Sequence, residues 1–431
     1  MIDVSEPNVS PPASVLEDLR WRGLIAQSTD EYELATALAG GPITFYGGFD
    51  PTARSLHIGN LVLLLTMRRI QEAGHLPLGL VGGATGLIGD PRMSGERVLN
   101  GPDVVAGWVA RIQTQVEKYL DFSGSHPARI VNNLDWTAPM SAIDLLRDVG
   151  KHFRMGRMLA KETVAARLRS DEGISFTEFS YQVLQGMDFL ELNRRYGCLL
   201  QVGGNDQWGN LTSGTELIRK AEGKVAHALT TPLITKADGT KFGKTEGGTV
   251  WLDADLTSPY AFYQFWINTE DALVDAYLKV FSFRSREELT QLAAATADRP
   301  HAREAQRALA AEVTTLVHGE RATQAVLEAS SALFGRGELR DVDEFTLQAA
   351  LSEAGLYELD GPMPTVVDLL RSCGLASSSS EARRTIAEGG ANINNQRISD
   401  PDHVPTASDL LHGRFLVLRR GKRAVAGISA G

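Results

Sequence analysis

The first half of the chain alternates short apolar runs with longer segments whose apolar residues recur at helical spacing. The apolar runs end in glycine or polar turn residues and predict strands, whereas the periodic segments predict helices. Strands are expected at 43–49, 75–83, 128–133 and 198–204, and helices at 59–73, 103–119, 141–149, 157–169, 177–193 and from about 206. Strands and helices alternating in this order favour an open, mostly parallel sheet with helices on both faces.

The second half of the chain has a different pattern. After about residue 258 the apolar spacing is helical, at 272–281, 286–295, 303–317 and 322–333. The segment DGPMP contains two prolines and a glycine and is a plausible domain boundary. Beyond it, two helical segments precede strand-like runs, and Ser378 with Glu381 predicts a capping box for the second helix.

These patterns predict an α/β architecture with three parts. A Rossmann-like parallel-sheet domain is expected at 1–257, an α-helical domain at 258–360 and a small α+β domain at 364–431. A chain of 431 residues is long enough for two or three domains, and its 43% hydrophobic and 22% charged residues are ordinary for a soluble protein.

Charge is distributed unevenly along the chain. The net charge is −10, yet from residue 364 onward nine lysines and arginines face six acidic residues. The basic residues of this last segment are also clustered, which is a modest indication of contact with RNA. Taken alone, the cluster is explained about as well by an ordinary solvated surface.

The sequence favours a reducing, cytoplasmic compartment. The N-terminal MIDVSEPNVSPP lacks the basic and apolar regions of a signal peptide, and the longest apolar run, 61–65, is too short to cross a bilayer. Cys198 and Cys373 lie far apart and form neither a disulfide framework nor a zinc motif. We therefore expect no metal bound by protein side chains.

The loop after the first predicted strand is a candidate anion site. It reads GGFDPTARSLHIGN and leads into a helix whose positive N-terminal end faces the loop. Thr52, His57 and Asn60 add side-chain donors at the same helix start. The triphosphate of ATP fits this arrangement. For HIGN alone, a capped helix with a chance histidine is the more plausible explanation.

A second candidate is KADGTKFGKTEGG, at 236–248. Gly239 and Gly243 are one residue too close together for a phosphate-binding P-loop, and no helix follows. What remains is a glycine-rich segment in which Lys241 and Lys244 could neutralise a pyrophosphate leaving group. A solvated lysine loop is a strong alternative for this segment by itself. The two motifs in this order are far more specific than either one.

HIGN and KFGKT look like variants of the two hallmark motifs of class I aminoacyl-tRNA synthetases. The surrounding sequence resembles the tyrosyl-tRNA synthetases over essentially the whole chain, in YGGFDPTARSLHIGN, LVGGATGLIGDP, FTEFSYQVLQGMDF, LQVGGNDQWGN and ITKADGTKFGKT. The resemblance implies a ligase that activates L-tyrosine with ATP to tyrosyl-adenylate, releasing pyrophosphate. The tyrosine is then transferred to the 3′ end of its tRNA.

The resemblance also implies three sets of site residues. The tyrosine-binding set is Tyr46, Asp90, Asn133, Tyr181, Gln185, Asp188 and Gln207. The ATP-binding set is Asp50, Gly59, Gly204, Asp206 and Lys244. The catalytic set, which would stabilise the phosphates, is Thr52, His57, Asn60, Lys241, Lys244 and Thr245.

Within the tyrosine-binding set, the resemblance assigns different residues to the two ends of the substrate. Tyr46 and Asp188 would hold the phenolic hydroxyl, while Asp90, Tyr181 and Gln185 would receive the ammonium group. Tyr181, Gln185 and Asp188 follow one another at intervals of four and three residues, so they project from one face of a helix. Core packing is the usual role of a tyrosine there, but a carboxylate in an apolar stretch needs a partner.

The partners implied by the resemblance are L-tyrosine, ATP carrying Mg²⁺ on its phosphates, the tRNA for tyrosine and a second copy of the chain. Apolar stretches at 141–157 could supply the homodimer interface, though a single core would look the same. The basic tail resembles a small RNA-binding fold of a ribosomal small-subunit protein. Its expected tRNA contacts are Arg383, Arg384, Arg419, Arg420 and Lys422.

Two alternatives stay open at this stage. One is a class I relative that activates tryptophan, against which Tyr46 and Asp188 argue. The other is a catalytically silent RNA-binding regulator built on the same fold, against which His57, Lys241 and Lys244 argue.

Overall fold

The computed structural model describes two compact units. The described residues are 14–91, 99–235, 242–245, 248–421 and 424–430. The first unit comprises Met1–Trp251 with Ala276–Phe283, and the second comprises Leu252–Asp275 with Arg284–Gly431. Within the described residues, no helix is both long and apolar enough to cross a membrane.

The first unit is built on a six-stranded sheet. Its strands are β1 (Gln27–Ser28), β2 (Thr44–Phe49), β3 (Leu76–Val81), β4 (Arg129–Asn132), β5 (Cys198–Gly204) and β6 (His227–Thr231). Their order is β1-β6-β5-β2-β3-β4, and only β1 runs antiparallel to its neighbour. The prediction of an open, mostly parallel sheet is confirmed. The connections leave β2 and β5 in opposite directions across the sheet, so a ligand crevice is expected between their carboxyl ends.

Helices cover this sheet, and a small hairpin follows it. The helices are α1 (Val15–Trp21), α2 (Glu31–Ala39), α3 (Ile58–Glu72), α4 (Thr85–Ile88), α5 (Pro102–Val116), α6 (Leu134–Thr137), α7 (Ala142–Asp144), α8 (Met155–Leu159), α9 (Glu162–Leu168), α10 (Phe176–Tyr196) and α11 (Trp208–Glu222). The hairpin pairs β7 (Lys244–Thr245) with β8 (Gly248–Thr249) in antiparallel register.

Two of the predicted helices were wrong in detail. The segment predicted as one helix at 157–169 is two, α8 and α9, because the backbone at Lys161 is extended, with ψ 137°. The segment predicted at 141–149 is the short α7 followed by a π-helical turn at Leu145–Val149. Apolar periodicity is similar in all these cases, so it does not locate the interruptions.

Helix α10 positions much of the site and is itself firmly placed. Ser175 caps its start by accepting from the Glu178 N–H, and Gly197 ends it in the left-handed region at φ 63°. Met187 and Phe189 are fully buried in the core that α10 forms with the sheet. Burying side chains of this size stabilises the fold by about 2–3 kcal/mol each.

The second unit begins as a helical bundle. Its helices are α12 (Pro259–Ile267), α13 (Asp271–Phe281), α14 (Arg286–Asp298), α15 (Glu304–His318), α16 (Glu320–Leu333) and α17 (Glu344–Ala354), with the second half of α13 counted in the first unit. The predicted helical stretch after residue 258 is therefore confirmed. Ser258 and Ser285 cap α12 and α14 by accepting backbone N–H groups.

A second sheet completes this unit. Its strands are β9 (Leu356–Leu359), β10 (Ala391–Ile393), β11 (Gln396–Arg397), β12 (Phe415–Arg420) and β13 (Ala424–Ala430), in the order β11-β10-β12-β13-β9. Helices α18 (Val366–Ser372) and α19 (Ser379–Ala387) pack on it. Strand β9 was not predicted, because its short run precedes the proline-rich boundary and gains its partner only through parallel pairing with β13.

The predicted capping box of α19 is only half correct. The Ser378 hydroxyl accepts from the Glu381 N–H, as expected. The Glu381 carboxylate, however, accepts from the N–H of Ser377 at 2.7 Å rather than from that of Ser378. The same carboxylate also binds Arg420, which draws it away from the reciprocal bond.

Candidate active site

The carboxyl edge of the parallel sheet collects most of the predicted site residues. Asp50 follows β2, Asp90 follows β3 and its short helix, Asn133 follows β4, and Asp206 follows β5. Parallel strands bring these loops to one edge although they are far apart in sequence. Helix α10 adds its own residues from the side.

Asp188 is the most unusual group at this edge. Its side chain is 1% exposed and accepts hydrogen bonds from Asn133 Nδ2 at 3.0 Å and from Trp136 Nε1 at 2.8 Å. Burial raises the pKa of Asp188 to about 7, although these two donors act in the opposite direction. A buried carboxyl whose pKa is strongly shifted is a candidate functional group.

Three buried polar atoms on β2, β5 and α10 lack a hydrogen-bonding partner among the described residues. They are Tyr46 Oη, Gln185 Oε1 and Gln201 Oε1. Tyr46 and Gln201 are register partners on β2 and β5, and Gln185 lies one helical turn before Asp188. Leaving such an atom unpaired costs about 1–3 kcal/mol, which a polar ligand would offset.

Gln201 and Trp136 were missed by sequence reasoning. Gln201 stands in the middle of a buried apolar strand, where an amide needs a partner, and this signal was available. Trp136 follows Asn133 by three residues, and a buried indole N–H also needs an acceptor. The sequence did not show that the acceptor is Asp188.

Tyr181 and Asp50 form a second polar group at the same edge. The Tyr181 hydroxyl donates to Asp50 Oδ2 at 2.6 Å, and Thr85 donates to Asp50 Oδ1 at 2.7 Å. Burial raises the pKa of the Tyr181 phenol, with the Asp50 charge acting in the same direction. Tyr181 is therefore a neutral hydrogen-bonding residue.

Asp90 lies beside this group, close to the half-buried Lys161. Its Oδ1 accepts from Asn210 Nδ2 at 3.5 Å, and Lys161 Nζ donates to Asn210 Oδ1. Burial lowers the pKa of Lys161 to about 8, and the charge of Asp90 partly opposes this shift. Lys161 lies in the extended backbone between α8 and α9, and Asn210 belongs to α11.

The start of α3 has the geometry of an anion site. His57 is the N-cap residue, and its Nδ1 accepts from the Gly59 N–H at 3.0 Å. Asn60 Oδ1 accepts from the His57 N–H at 3.1 Å and so completes a capping box. Thr52, His57 and Gly59 are all solvent-exposed. Asn60 therefore has a structural function here, and its predicted catalytic function stays a prediction.

The described part of the second motif lies against this helix start. The Ile58 N–H donates to the Val250 carbonyl at 3.1 Å, and His57 forms an isolated antiparallel bridge with Trp251. Gly243 has φ 81°, and a Cβ there would approach Ile58. The backbone thus brings the two motifs together. Lys241 lies outside the described residues, as do the side chains of Lys244 and Thr245.

The turn after β5 lies at the same carboxyl edge of the sheet. Gly204 ends the strand, and Asp206 and Gln207 lie in a 3₁₀ turn before α11. Asp206 is exposed and Gln207 is half-buried against Gly203.

The residues predicted to contact tRNA in the second unit differ in their exposure and in their hydrogen-bonding partners. Arg420 donates to Glu381 at 2.7 Å and to the Leu375 carbonyl, and Arg383 pairs with Asp402 at 2.9 Å. Arg384 is exposed. Arg419 lies against the backbone at Gly335, and Lys422 falls outside the described residues.

Two family descriptions match the chain. "tRNA synthetases class I (W and Y)" covers residues 38–335, and "Tyrosine--tRNA ligase SYY-like C-terminal domain" covers residues 347–426. The chain is 63% identical over 415 residues to a tyrosine–tRNA ligase of Streptomyces avermitilis, covering 96% of this chain and 98% of that one. It is also 63% identical over 419 residues to one of Acidothermus cellulolyticus, covering 96% and 98%.

Solved structures agree with this family. A C-terminally truncated mitochondrial tyrosyl-tRNA synthetase of Aspergillus nidulans superposes with a TM-score of 0.68 at 30% identity, covering 74% of this chain and 94% of that one. A tryptophanyl-tRNA synthetase of Encephalitozoon cuniculi superposes with a TM-score of 0.53 at 13% identity, covering 77% of this chain and 89% of that one, which shows the shared fold alone. The chain belongs to the tyrosine–tRNA ligases, class I aminoacyl-tRNA synthetases that activate tyrosine and attach it to tRNA.

Proposed function

We propose that the pocket beside α10 binds L-tyrosine with its phenol between Tyr46 and Asp188. The observation that carries this proposal is the buried Asp188 carboxyl, which has two neutral donors and a pKa near 7. A phenol hydroxyl supplies the donor that such a group accepts. The substrate ammonium is received by Asp90, Tyr181 and Gln185. On α10, Gln185 lies about one helical turn before Asp188 and Tyr181 about two. Asp90 lies in the loop that follows α4.

We further propose that ATP lies across the start of α3. The tyrosine carboxylate, with Gln207 near it, attacks the α-phosphorus of ATP, the bond to pyrophosphate breaks, and tyrosyl-adenylate forms. The attacking group is already an anion, so no general base is required. His57 and Thr52 stabilise the phosphates together with the lysines of the second motif, and the nucleotide enters as its Mg²⁺ complex.

The ribose of the nucleotide is expected at the turn after β5. Gly204 allows close backbone approach, and Asp206 offers an exposed carboxylate to the ribose hydroxyls. Asp50 and Gly59 complete the ATP-binding set. In the second step the terminal adenosine of tRNA takes the tyrosyl group and AMP is released.

ATP–pyrophosphate exchange, measured separately with tyrosine, phenylalanine and tryptophan, tests the proposed pocket. We expect exchange with tyrosine alone, because only its hydroxyl pairs the buried Asp188. Exchange with tryptophan in place of tyrosine would contradict the phenol site. Absence of exchange with all three amino acids would contradict the assignment of the α3 start to ATP.

We propose that the three predicted parts divide the work. Residues 1–257 would carry out the chemistry, 258–360 would meet the anticodon region and 364–431 would contact tRNA, in a cytoplasmic protein. Arg384 is the best-placed of the predicted phosphate contacts, since Arg383 and Arg420 already pair with carboxylates. These two arginines would bind RNA only in exchange for their present partners.

We propose a homodimer formed through the segment between α7 and the start of α10. Its large apolar side chains are unusually exposed, at 69% for Ile143, 60% for Leu146, 58% for Met155 and 75% for Phe176. Isolated exposed apolar residues are common, but several on consecutive short helices indicate a surface that another chain covers. Ile143, Leu146 and Met155 lie in the apolar stretches at 141–157 that were expected to form an interface, and Phe176 lies outside them.

Phe176→Asp is expected to convert the dimer to a monomer. A carboxylate buried in an apolar interface without a partner is strongly unfavourable. Sedimentation at micromolar concentration should give the mass of two chains for the wild type and of one chain for the variant. The matched control is Phe345→Asp, a substitution of a 59%-exposed phenylalanine in the second unit, which should stay dimeric. A dimeric Phe176→Asp variant would place the interface elsewhere.

A further inference from the structure

A continuous line of hydrogen bonds connects the two ends of the proposed tyrosine pocket. At the ammonium end, the Tyr181 hydroxyl donates to Asp50 Oδ2 at 2.6 Å. The other oxygen of the same carboxylate accepts from the Thr85 hydroxyl at 2.7 Å. Thr85 therefore holds Asp50 in the orientation that also receives Tyr181.

The line continues from Thr85 to the phenol end. Asn133 Nδ2 donates to Thr85 Oγ1 and to Asp188 Oδ2, each at 3.0 Å, with one hydrogen for each acceptor. Asn133 Oδ1 accepts from the Ala84 N–H at 2.7 Å, which fixes the orientation of the amide. Thr85 and Asn133 are 2% and 0% exposed, so bulk solvent does not compete for these bonds.

The Thr85 hydroxyl is chemically necessary at this position. It accepts from an amide and donates to a carboxylate at the same time, which a hydroxyl can do and a hydrocarbon cannot. The backbone is also built around it, because a Cβ at Gly82 would overlap both Asp50 Oδ1 and Thr85 Oγ1. Glycine at this position leaves room for the hydrogen bond between them.

We propose that Thr85 is a positioning residue that couples recognition of the substrate's ammonium group to recognition of its phenol hydroxyl. It touches neither group and acts through Asp50 with Tyr181 at one end and through Asn133 with Asp188 at the other. The proposal rests on the proposed tyrosine pocket. Its consequence is that the two ends of the pocket form one rigid unit. The binding free energy of a ligand that pairs with both ends therefore exceeds the sum of the contributions that each end makes alone.

The coupling is measured by the ratio of the equilibrium affinities for L-tyrosine and L-phenylalanine. These ligands share the ammonium group and differ in the hydroxyl that faces Asp188. In Thr85→Val we expect this ratio to fall by about tenfold, because Asn133 loses one of its two acceptors and no longer holds Asp188 firmly. A purely local effect at Asp50 would weaken both ligands equally and leave the ratio unchanged.

Three further variants separate the hydroxyl from packing. Thr85→Ser keeps the hydroxyl and should keep the wild-type ratio. Gly82→Ala keeps Thr85 but separates it from Asp50, and should lower the ratio as Thr85→Val does. Thr137→Val is the matched control, since the Thr137 hydroxyl is buried without a partner among the described residues, and it should behave as the wild type. An affinity ratio is also independent of the fraction of protein that is folded.

Two results would overturn the coupling. One is a wild-type ratio in both Thr85→Val and Gly82→Ala. The other is a ratio that falls in Thr85→Ser as far as in Thr85→Val, which would assign the effect to the methyl group. In either case tyrosine binding by the wild type would leave the proposed pocket standing, whereas a wild type that does not bind tyrosine would refute the pocket itself.

Discussion

We expect Asp188→Asn to lower the equilibrium affinity for L-tyrosine by about 100-fold and to change that for L-phenylalanine by less than about threefold. The carboxylate accepts from Asn133 and Trp136. In the proposed complex it would also accept from the substrate phenol. An amide has only one oxygen, so its NH₂ group would face a donor. Phenylalanine has no hydroxyl to lose and reports whether the rest of the pocket is intact.

The same carboxyl group predicts how tyrosine binding depends on pH. Burial places the pKa of Asp188 at about 7 in the free protein, and the phenol hydroxyl donates best to the ionised form. Tyrosine affinity should therefore rise as the pH increases through about 7 and level off above it. Phenylalanine affinity should stay flat, and so should tyrosine affinity in Asp188→Asn. A rise that persists in the variant would assign the titration to another group.

The raised pKa of Asp188 also carries a cost in stability. A carboxyl with a pKa of 3.8 when exposed and about 7 when folded holds its proton more tightly in the folded protein. Below pH 3.8 the carboxyl is protonated in both states and burial of the charge costs nothing. The free energy of unfolding then falls as the pH rises to about 7, because the folded protein must give up a proton that it holds more tightly. Burial therefore disfavours the charged form of this carboxyl more than its two hydrogen-bond donors favour it. We interpret this as a site whose missing partner is the substrate.

The sheet and its helices could be predicted because their signals are local. Apolar runs ending in glycine, as at β2 and β5, are sufficient to place buried strands, and Ser175 and Gly197 mark both ends of α10. The split between α8 and α9 was not predicted, because apolar periodicity does not reveal the extended backbone at Lys161, whose side chain contacts Asn210 on a distant helix. Strand β9 depends in the same way on a partner that lies far along the chain.

The candidate site shows the same limit. The carboxylate of Asp188 amid apolar residues indicated that it has a hydrogen-bonding partner. Only the structure shows that Asn133 and Trp136 are partners. Likewise, Arg420 belongs to a basic cluster in the sequence, whereas the structure pairs it with Glu381. Sequence identifies which groups need a partner, and tertiary structure decides which partner each one has.

His57 combines two functions that substitution can separate. Its Nδ1 accepts from the Gly59 N–H and caps α3, so the ring proton resides on Nε2, which can donate to a phosphate oxygen. The backbone bridge to Trp251 brings His57 beside the segment that follows the second motif. The cap stabilises the protein, and the Nε2 donor would stabilise charge that develops on the phosphates of ATP.

We therefore expect His57→Asn and His57→Ala to slow tyrosyl-adenylate formation by about 100-fold, measured by ATP–pyrophosphate exchange at saturating tyrosine. Asparagine still caps a helix, so only the alanine variant should lose about 1 kcal/mol of unfolding free energy. Ser285→Ala removes the comparable cap of α14 and should lower stability without slowing exchange. Equilibrium tyrosine affinity should be unchanged in all three variants. Wild-type exchange by His57→Asn would reduce His57 to a helix cap, and an equal loss of tyrosine affinity would place it at the amino acid rather than the nucleotide.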